Sequence, residues 1–311
     1  MLSAKVEQHL AQVQRHLYIN PLEKCNLRCK ICYTRKTAPI LSMEAILSFV
    51  DAYKEVQELD SITFCGGEVF ALSYFPALLN HMNERHIFSQ VITNGTIDQL
   101  DLISNPNNVN LIVSIDGIES QHDANRGEGM FRKSMSFMQK ALDLGFHLEV
   151  FSIVHKSNLS TLDKFEASLK TELGFTPDIT YHPRKPPKYL QSHPFSNITG
   201  EVEAFDFLTT NEVLSLMKSR KVFPPPDLGC YQIAVASDGK VYGCCEGTLP
   251  LGTIADPPTL LLNQLHSRLE DWSQTNTTIG CLGCSQHQFM CGIKDYLITL
   301  AQEREQGEKQ P

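Results

Sequence analysis

The chain has 311 residues, of which 42% are hydrophobic and 20% are charged, as is ordinary for a soluble globular protein. Its formal net charge of −8 argues against a general binder of nucleic-acid backbones, which usually carries a basic face. No apolar run has the length of a membrane span, and the polar start of the chain does not read as a signal peptide. We therefore expect a cytoplasmic protein with neither a nucleic-acid nor a membrane partner.

The chain contains ten cysteines, and without a secretion signal they indicate a reducing compartment, where clustered cysteines more often bind metal than form disulfides. Cys25, Cys29 and Cys32 lie early in the chain, and Cys65 stands alone. The late group consists of Cys230, Cys244, Cys245, Cys281, Cys284 and Cys291. This division predicts two metal sites on two parts of the chain.

Apolar periodicity predicts a helix over residues 1–16, followed by alternating strands and helices over residues 17–183. The predicted strands lie at 17–19, 61–64, 90–93, 109–115, 147–154 and 178–182. The predicted helices between them span 43–53, 74–85, 97–103, 131–144 and 159–173. Such an alternation builds a parallel sheet with right-handed crossovers, and such sheets place their chemistry at the carboxyl ends of the strands.

Residues 184–228 are predicted to form a linker that contains one helix, at 212–220. A small cysteine-rich domain is predicted over residues 229–296, with strands at 233–236 and 240–242 joined by the turn Ser237-Asp238-Gly239. A further helix is predicted at 259–272, and residues 297–311 form a charged tail.

The three early cysteines stand at positions i, i+4 and i+7 of one loop after the first predicted strand. Three thiols are too few to close a tetrahedral site. They can, however, hold three irons of a 4Fe–4S cube and leave the fourth iron open to another ligand. Zinc is the alternative, although structural zinc sites prefer four closed ligands.

Short motifs follow the second, third and fourth predicted strands. They are Gly66-Gly67-Glu68, Thr93-Asn94-Gly95 and Ser114-Ile115-Asp116-Gly117. Glycines let a backbone approach a ligand closely, but glycine pairs and short polar residues are also common in ordinary turns and caps. The order of the motifs on successive strand ends favours a shared binding site.

Over residues 17–182 the chain resembles the radical S-adenosylmethionine (SAM) enzymes, whose Cys-x3-Cys-x2-Cys motif follows the first barrel strand. Its late part resembles the twitch or SPASM extension found in some of these enzymes. The resemblance implies an α/β fold: a partial (β/α)6 TIM-like barrel with a small C-terminal cysteine-rich twitch/SPASM-like domain. It also implies that Cys25, Cys29 and Cys32 hold a SAM-binding 4Fe–4S cluster.

The resemblance further implies a set of residues that contact SAM. They are Tyr33, Gly66, Gly67, Glu68, Thr93, Asn94, Ser114, Asp116, Arg126, Ile153 and Val154. In the family the glycine edge binds the SAM amino group, and Glu68 either holds that segment or joins the contact. Arg126 is expected either to pair with the SAM carboxylate or to be a solvated loop residue. Ile153 and Val154 are expected either to lie against the adenine or to belong to the core.

For the late cysteines, the resemblance implies one auxiliary Fe–S cluster, of the 4Fe–4S kind, rather than two. Its expected ligands are Cys230, Cys244, Cys281 and Cys284, with Cys291 as a fifth participant or a substitute. A four-cysteine zinc site is the alternative. Cys245 stands where sulfatase-maturing relatives have an acidic residue, which weakens assignment to that branch.

The implied activity is that of a radical SAM oxidoreductase. Reductive cleavage of SAM would give a 5′-deoxyadenosyl radical, which abstracts hydrogen from a peptide or small-molecule substrate in a net oxidation or crosslinking. The expected electron donor is a flavodoxin or ferredoxin, and no protein side chain is assigned as catalytic beyond the cofactors. The alternative from another class is a non-enzymatic zinc-binding interaction module.

Overall fold

The computed structural model describes residues 4–32, 34, 36–184, 206, 208–222, 232–245 and 249–275. Its helices are α1 (Ala4–Val13), α2 (Met43–Lys54), α3 (Phe75–Glu84), α4 (Glu119–Arg126), α5 (Met130–Asp143), α6 (Lys156–Leu159), α7 (Leu162–Leu173), α8 (Thr210–Ser219) and α9 (Pro258–Thr275). Its strands are β1 (His16–Leu22), β2 (Ser61–Gly66), β3 (Phe88–Thr93), β4 (Val109–Ser114), β5 (His147–Val154), β6 (Asp178–Pro183), β7 (Ile233–Val235), β8 (Lys240–Tyr242) and β9 (Gly252–Thr253). No helix in these parts of the chain is both long and apolar enough to cross a membrane.

The described strands form one sheet in the order β6-β5-β4-β3-β2-β1-β7-β8-β9. Strands β1 to β6 pair in parallel with their sequence neighbours, so their carboxyl ends lie at one edge of the sheet. The predicted parallel α/β sheet is therefore confirmed.

The two faces of this parallel sheet differ in character. On one face, alternate strand residues such as Leu17, Ile62 and Val91 are fully buried in the hydrophobic core that the helices cover. Because successive strand residues point to opposite faces, the residues between them line the other face, which we term the inner face. The inner face carries many polar side chains, namely His16, Tyr18, Asn20, Thr63, Gln90, Asn110, Ser114, Glu149, Thr180 and His182, beside apolar ones such as Ile92, Ile112, Phe151 and Ile153.

The prediction of a helix at residues 97–103 is wrong. Two short 3-10 segments, Leu100–Leu102 and Pro106–Asn108, connect β3 to β4 instead. Side chains satisfy backbone groups in this connection, since the Leu100 N–H donates to Asp98 Oδ1 at 3.1 Å. Pro106 has no N–H to donate, so the connection cannot continue as a regular helix.

The segment after β4 is more helical than the sequence predicted. Arg126 is the last residue of α4, not a loop residue, and the helix predicted at 159–173 is divided into α6 and α7. His155 explains this division, because its N–H donates to Asn158 Oδ1 at 2.9 Å and begins a separate turn before α7. The other predicted helices of the barrel region are present with small shifts at their ends.

The predicted hairpin extends the same sheet at the edge of β1. Strand β7 pairs in parallel with β1, with Ile233 opposite Leu17, and β8 runs antiparallel to β7, with Tyr242 opposite Ala234. Cys244 follows β8 and is buried. It therefore lies toward the amino end of β1, away from the edge where the early cysteines begin.

Candidate active site

The early cysteines lie in the loop that leaves the carboxyl end of β1, and we call residues 23–32 the cysteine loop. Cys25, Cys29 and Cys32 are all half-buried. The Cys25 Sγ accepts the Leu27 N–H at 3.3 Å and lies 3.7 Å from Asn94 Nδ2. The loop therefore presents its thiols beside the end of β3.

Hydrogen bonds hold the cysteine loop from both sides. On one side, Asn94 Nδ2 donates to Asn26 Oδ1 at 3.0 Å, and Asn26 Nδ2 donates to Thr96 Oγ1 at 2.8 Å. On the other side, the Lys30 N–H donates to the Asn125 carbonyl at 2.9 Å, and Arg184 donates to the Lys30 carbonyl at 2.9 Å. Lys30 lies between Cys29 and Cys32, so its peptide fixes the second half of the motif.

Gly66 and Gly67 allow the loop backbone to lie directly against the end of β2. A Cβ on Gly66 would come within 2.2 Å of the Leu22 carbonyl oxygen, and one on Gly67 within 2.0 Å of the Lys24 carbonyl oxygen. Real Cβ atoms essentially never approach so closely. The glycine pair is thus required for packing against this chain's own backbone, whatever it contributes to a ligand.

The Glu68 carboxylate ties the ends of β2 and β3 together. It is fully buried and accepts hydrogen bonds from Thr93 Oγ1 at 2.8 Å, the Asn94 N–H at 2.7 Å and the Phe70 N–H at 3.1 Å. Burial raises the pKa of this carboxyl group, and the hydrogen bonds from Asn94, Thr93 and Phe70 oppose that shift. Of the two roles predicted for Glu68, holding the segment is the one its contacts show.

Asp116 and Arg126 form a buried ion pair at the end of β4. Arg126 Nε donates to Asp116 Oδ2 at 2.5 Å, and a second guanidinium nitrogen donates to Oδ1 at 3.1 Å. Their side chains are 0% and 10% exposed, so Arg126 is not a solvated loop residue. Burial acts to raise the pKa of Asp116, but the Arg126 guanidinium prevails and lowers it.

The remaining residues that were predicted to contact SAM lie on both faces of the sheet. Ser114 lies on the inner face at the end of β4 and is buried. Ile153 also lies on the inner face, and its N–H donates to Asp116 Oδ1 at 3.1 Å. Val154 is fully buried in the hydrophobic core on the opposite face. Tyr33 lies outside the described residues.

The buried charges of Glu68 and Arg126 influence the pKa values of the nearby thiols. Burial raises the pKa of both the Cys25 and the Cys29 thiol; Glu68 adds to the shift at Cys25, whereas Arg126 opposes it at Cys29. Iron binding must therefore displace protons from these thiols. The cysteine loop thus lies next to the strand ends that carry Glu68 and the Asp116–Arg126 pair.

Among the described residues, no three Cys, His, Asp or Glu side chains converge as a single metal ion would require. An iron–sulfur cube makes a weaker demand, because each cysteine binds a different iron and the sulfurs need not meet at one point. Three half-buried thiols in one anchored loop suit that group in chemistry and number. The arrangement of the early cysteines favours a cluster over a single zinc ion.

Several residues that hold this site were not predicted. Asn125 Nδ2 donates to His155 Nε2 at 3.0 Å, and His155 Nδ1 contacts Asp206 Oδ2 at 2.8 Å. His122 is fully buried, and its Nδ1 accepts the Asp116 N–H at 3.3 Å. Asp206 and His155 are 51 residues apart, and no local sequence pattern could have joined them.

Residues 19–167 match the sequence profile of the Radical SAM superfamily. The profile covers the second half of β1, all of β2 to β5, the cysteine loop and each strand-end motif described above. The chain carries a radical SAM domain. Domains of this superfamily use a 4Fe–4S cluster and SAM, and these are the cofactors of the domain.

Two curated relatives match the radical SAM domain. The sporulation killing factor maturation protein SkfB of Bacillus subtilis (strain 168) is 29% identical over an alignment of 141 residues, and the match covers 43% of this chain and 34% of SkfB. The Fe-coproporphyrin III synthase of Methanosarcina barkeri (strain Fusaro / DSM 804) is 26% identical over an alignment of 170 residues, and the match covers 50% of this chain and 42% of the synthase. The matches thus span less than half the length of either relative.

Solved structures share the fold over more of the chain. The structure of anSMEcpe with bound AdoMet and the Cp18Cys peptide superposes with a TM-score of 0.63 at 18% identity, covering 93% of this chain and 97% of that one. This likeness confirms the partial TIM-like barrel. Of the expected auxiliary ligands, Cys230, Cys281, Cys284 and Cys291 lie outside the described residues, and Cys244 lies within them.

Proposed function

We propose that this chain is a peptide-modifying radical SAM enzyme, with its 4Fe–4S cluster on Cys25, Cys29 and Cys32. The observation that carries the proposal is the position of the half-buried Cys25 and Cys29 thiols within electrostatic reach of the buried Glu68 and the Asp116–Arg126 pair, with Cys32 in the same loop. When bound there, the cluster and SAM would supply the chemistry, which is reductive cleavage of SAM to a 5′-deoxyadenosyl radical. The protein supplies orientation and exclusion of water.

The buried charges have distinct tasks in this proposal. Asp116 fixes the Arg126 guanidinium with two hydrogen bonds, so that its remaining N–H groups are held ready for an anionic ligand such as the SAM carboxylate. Glu68 holds Asn94 against the cysteine loop through the Asn94 N–H. Ser114 and Ile153 offer a polar and an apolar contact on the inner face, beside the same strand ends.

The polar groups on the inner face favour a peptide over a wholly apolar small molecule as substrate. Thr63 Oγ1 donates to Gln90 Oε1 at 2.7 Å, and Asn110 Nδ2 donates to Glu149 Oε1 at 2.8 Å, so hydrogen-bonding groups line the strands. The peptide bound to anSMEcpe supports the same choice, and SkfB is named for the maturation of a sporulation killing factor. The porphyrin-linked name of the second relative makes a small molecule the alternative.

We also propose that the late cysteines hold one auxiliary Fe–S cluster that accepts an electron, which makes the net reaction an oxidation or a crosslinking. Its proposed ligands are Cys230, Cys244, Cys281 and Cys284, with Cys291 as a fifth participant or a substitute ligand. The register supports separation of the two clusters, because Cys244 lies toward the amino end of β1 and Cys25 follows its carboxyl end. The six residue steps of β1 from His16 to Leu22 span roughly 20 Å.

The first experiment tests the class of enzyme. Protein purified without oxygen should contain iron and acid-labile sulfide, and should release 5′-deoxyadenosine when given SAM and dithionite. Cys29→Ala should abolish that release, whereas Cys65→Ala, which removes a thiol outside the cysteine loop, should keep it. Zinc without iron, or equal release from the Cys29 variant, would refute the proposal.

The second experiment tests the substrate class. A short peptide encoded beside this chain's gene is incubated with the enzyme, SAM and dithionite, and its mass is measured. We expect the loss of two hydrogen atoms for each oxidation or crosslink. An unchanged peptide, together with ready 5′-deoxyadenosine release, would favour the small-molecule alternative.

A further inference from the structure

The cysteine loop and the four residues after it carry a net charge opposite to that of the protein as a whole. Residues 23–36 contain five cationic residues and one acidic residue, in a chain whose formal net charge is −8. The cationic residues are Lys24, Arg28, Lys30, Arg35 and Lys36. This concentration of positive charge surrounds the three cysteines that we assign to the cluster.

The side-chain ammonium groups of Lys24 and Lys30 form no hydrogen bond or ion pair with the described residues, in contrast to Arg28 and Lys36. Arg28 donates to the Cys25 carbonyl at 2.7 Å, and Lys36 Nζ donates to the Leu27 carbonyl at 2.6 Å, so both hold the loop. Lys24 and Lys30 are exposed. The ion pairs formed among the described residues use other cations, such as those of α5 and β8.

We propose that Lys24 and Lys30, with the exposed Arg28, form the docking surface for an acidic one-electron carrier protein of the flavodoxin or ferredoxin kind. This inference rests on the proposed cluster assignment. Each cation is within one residue of a cluster cysteine in sequence, so a carrier bound here lies next to the group it must reduce. The step moves one electron: the carrier is oxidised by one electron and the cluster is reduced by one.

Charge complementarity is the reason to assign this partner to this surface. An acidic carrier is repelled by the negative charge of the rest of the molecule and attracted to the loop, which steers its encounter. Such steering acts between exposed charges, so salt must weaken it. The screening length falls from about 10 Å at 0.1 M salt to about 3 Å at 1 M salt.

Binding of the carrier is the first readout, and it does not depend on catalysis. An acidic flavodoxin is titrated into wild-type protein and into the double variant Lys24→Glu/Lys30→Glu, and carbodiimide crosslinks are mapped by mass spectrometry. We expect the variant to bind at least about tenfold more weakly at low salt, and about equally at high salt. Crosslinks should join flavodoxin carboxylates to Lys24 or Lys30 in the wild type.

The second readout is the ratio of flavodoxin-driven to dithionite-driven 5′-deoxyadenosine release. The ratio is measured for each protein separately, so that dithionite-driven release serves as its internal reference. The ratio should fall in the loop variant and stay unchanged in the control Lys164→Glu/Lys170→Glu, which reverses two exposed charges on α7. Equal loss in both variants, or crosslinks that map elsewhere, would overturn the docking surface. No release with dithionite from the wild type would instead overturn the proposed function.

Discussion

The Lys30 N–H donates a 2.9 Å hydrogen bond to the carbonyl of Asn125, and this contact joins the cysteine loop to the last turn of α4. Asn125 is held in turn by His155, and His155 by Asp206. Side chains from α4, from the residue after β5 and from a later segment thus fix the backbone between Cys29 and Cys32. The loop's geometry depends on residues that never touch the thiols.

We predict that His155→Phe loosens the cysteine loop without unfolding the barrel. Loss of its two side-chain contacts should cost about 1–2 kcal/mol, which corresponds to roughly five- to thirtyfold more frequent local opening. The measurement is the rate at which a chelator bleaches the visible absorbance of the reconstituted cluster. His147→Phe, at the other end of β5, is the control and should bleach at the wild-type rate. Equal rates in all three proteins would contradict the proposed link.

The Asp116–Arg126 pair gives a second prediction. Asp116→Asn removes the carboxylate but leaves the Arg126 cation buried, so we expect a loss of about 3–5 kcal/mol in the free energy of unfolding. The control is Glu119→Gln, which breaks an exposed pair with Arg132 and should cost less than about 1 kcal/mol. Denaturant unfolding measures both. Similar losses in the two variants would show that burial of the first pair has no special effect.

The sequence predicted where the chemistry lies better than it predicted what each residue touches. Strand ends are marked by local signals, namely apolar runs that stop at Gly66, Asn94 or Asp116, and the parallel order then places those ends side by side. The hydrogen-bond partner of each side chain, by contrast, is not determined by the neighbouring sequence. Whether Glu68 bonds a ligand or Asn94, and whether Arg126 faces solvent or Asp116, depends on how neighbouring strands and α4 pack.

The wrongly predicted helix and the contacts that the sequence does not reveal have the same origin. The helix predicted at 97–103 has the right apolar residues, but side chains from other elements occupy the backbone groups of the connection, as Asn80 does for Ser104. For the glycine pair, approach to a ligand stays a prediction, and its close contacts with Leu22 and Lys24 become visible only when β1 and β2 lie side by side. His155 carried no motif, because its partner Asp206 comes from a distant segment.

Buried histidines give a prediction for pH. Burial lowers the pKa of His122 to about 4 from 6.5; Arg126 acts in the same direction, and Asp116 and Asp123 oppose it. Since the folded pKa lies below the unfolded one, stability from this group is complete above pH 6.5. It is lost as pH falls from 6.5 toward 4, because there only the unfolded chain takes up the proton.

The loss from His122 should be on the order of 3 kcal/mol by pH 4, at about 1.4 kcal/mol for each pKa unit. His122→Gln should flatten the slope of unfolding free energy against pH by about one proton in this window. The exposed His86 gives the control, because His86→Asn should leave the slope unchanged. Denaturant unfolding at a series of pH values measures the slopes, and identical slopes in all three proteins would exclude His122 as the titrating group.

The close packing of Gly67 gives the last prediction. In Gly67→Ala the new Cβ would lie 2.0 Å from the Lys24 carbonyl oxygen, so the backbone that leads into the cysteine loop must move. Overpacking of this kind costs about 1–3 kcal/mol, and here a backbone atom rather than a flexible side chain must yield. Gly145→Ala is the matched control: nothing lies within 4 Å of its Cβ, and its positive φ of 87° alone should cost about 1–2 kcal/mol. We therefore expect both variants to be less stable, but only Gly67→Ala to lose iron and sulfide on reconstitution. Full cluster content in Gly67→Ala would mean that the loop reaches its cluster-binding form without this contact.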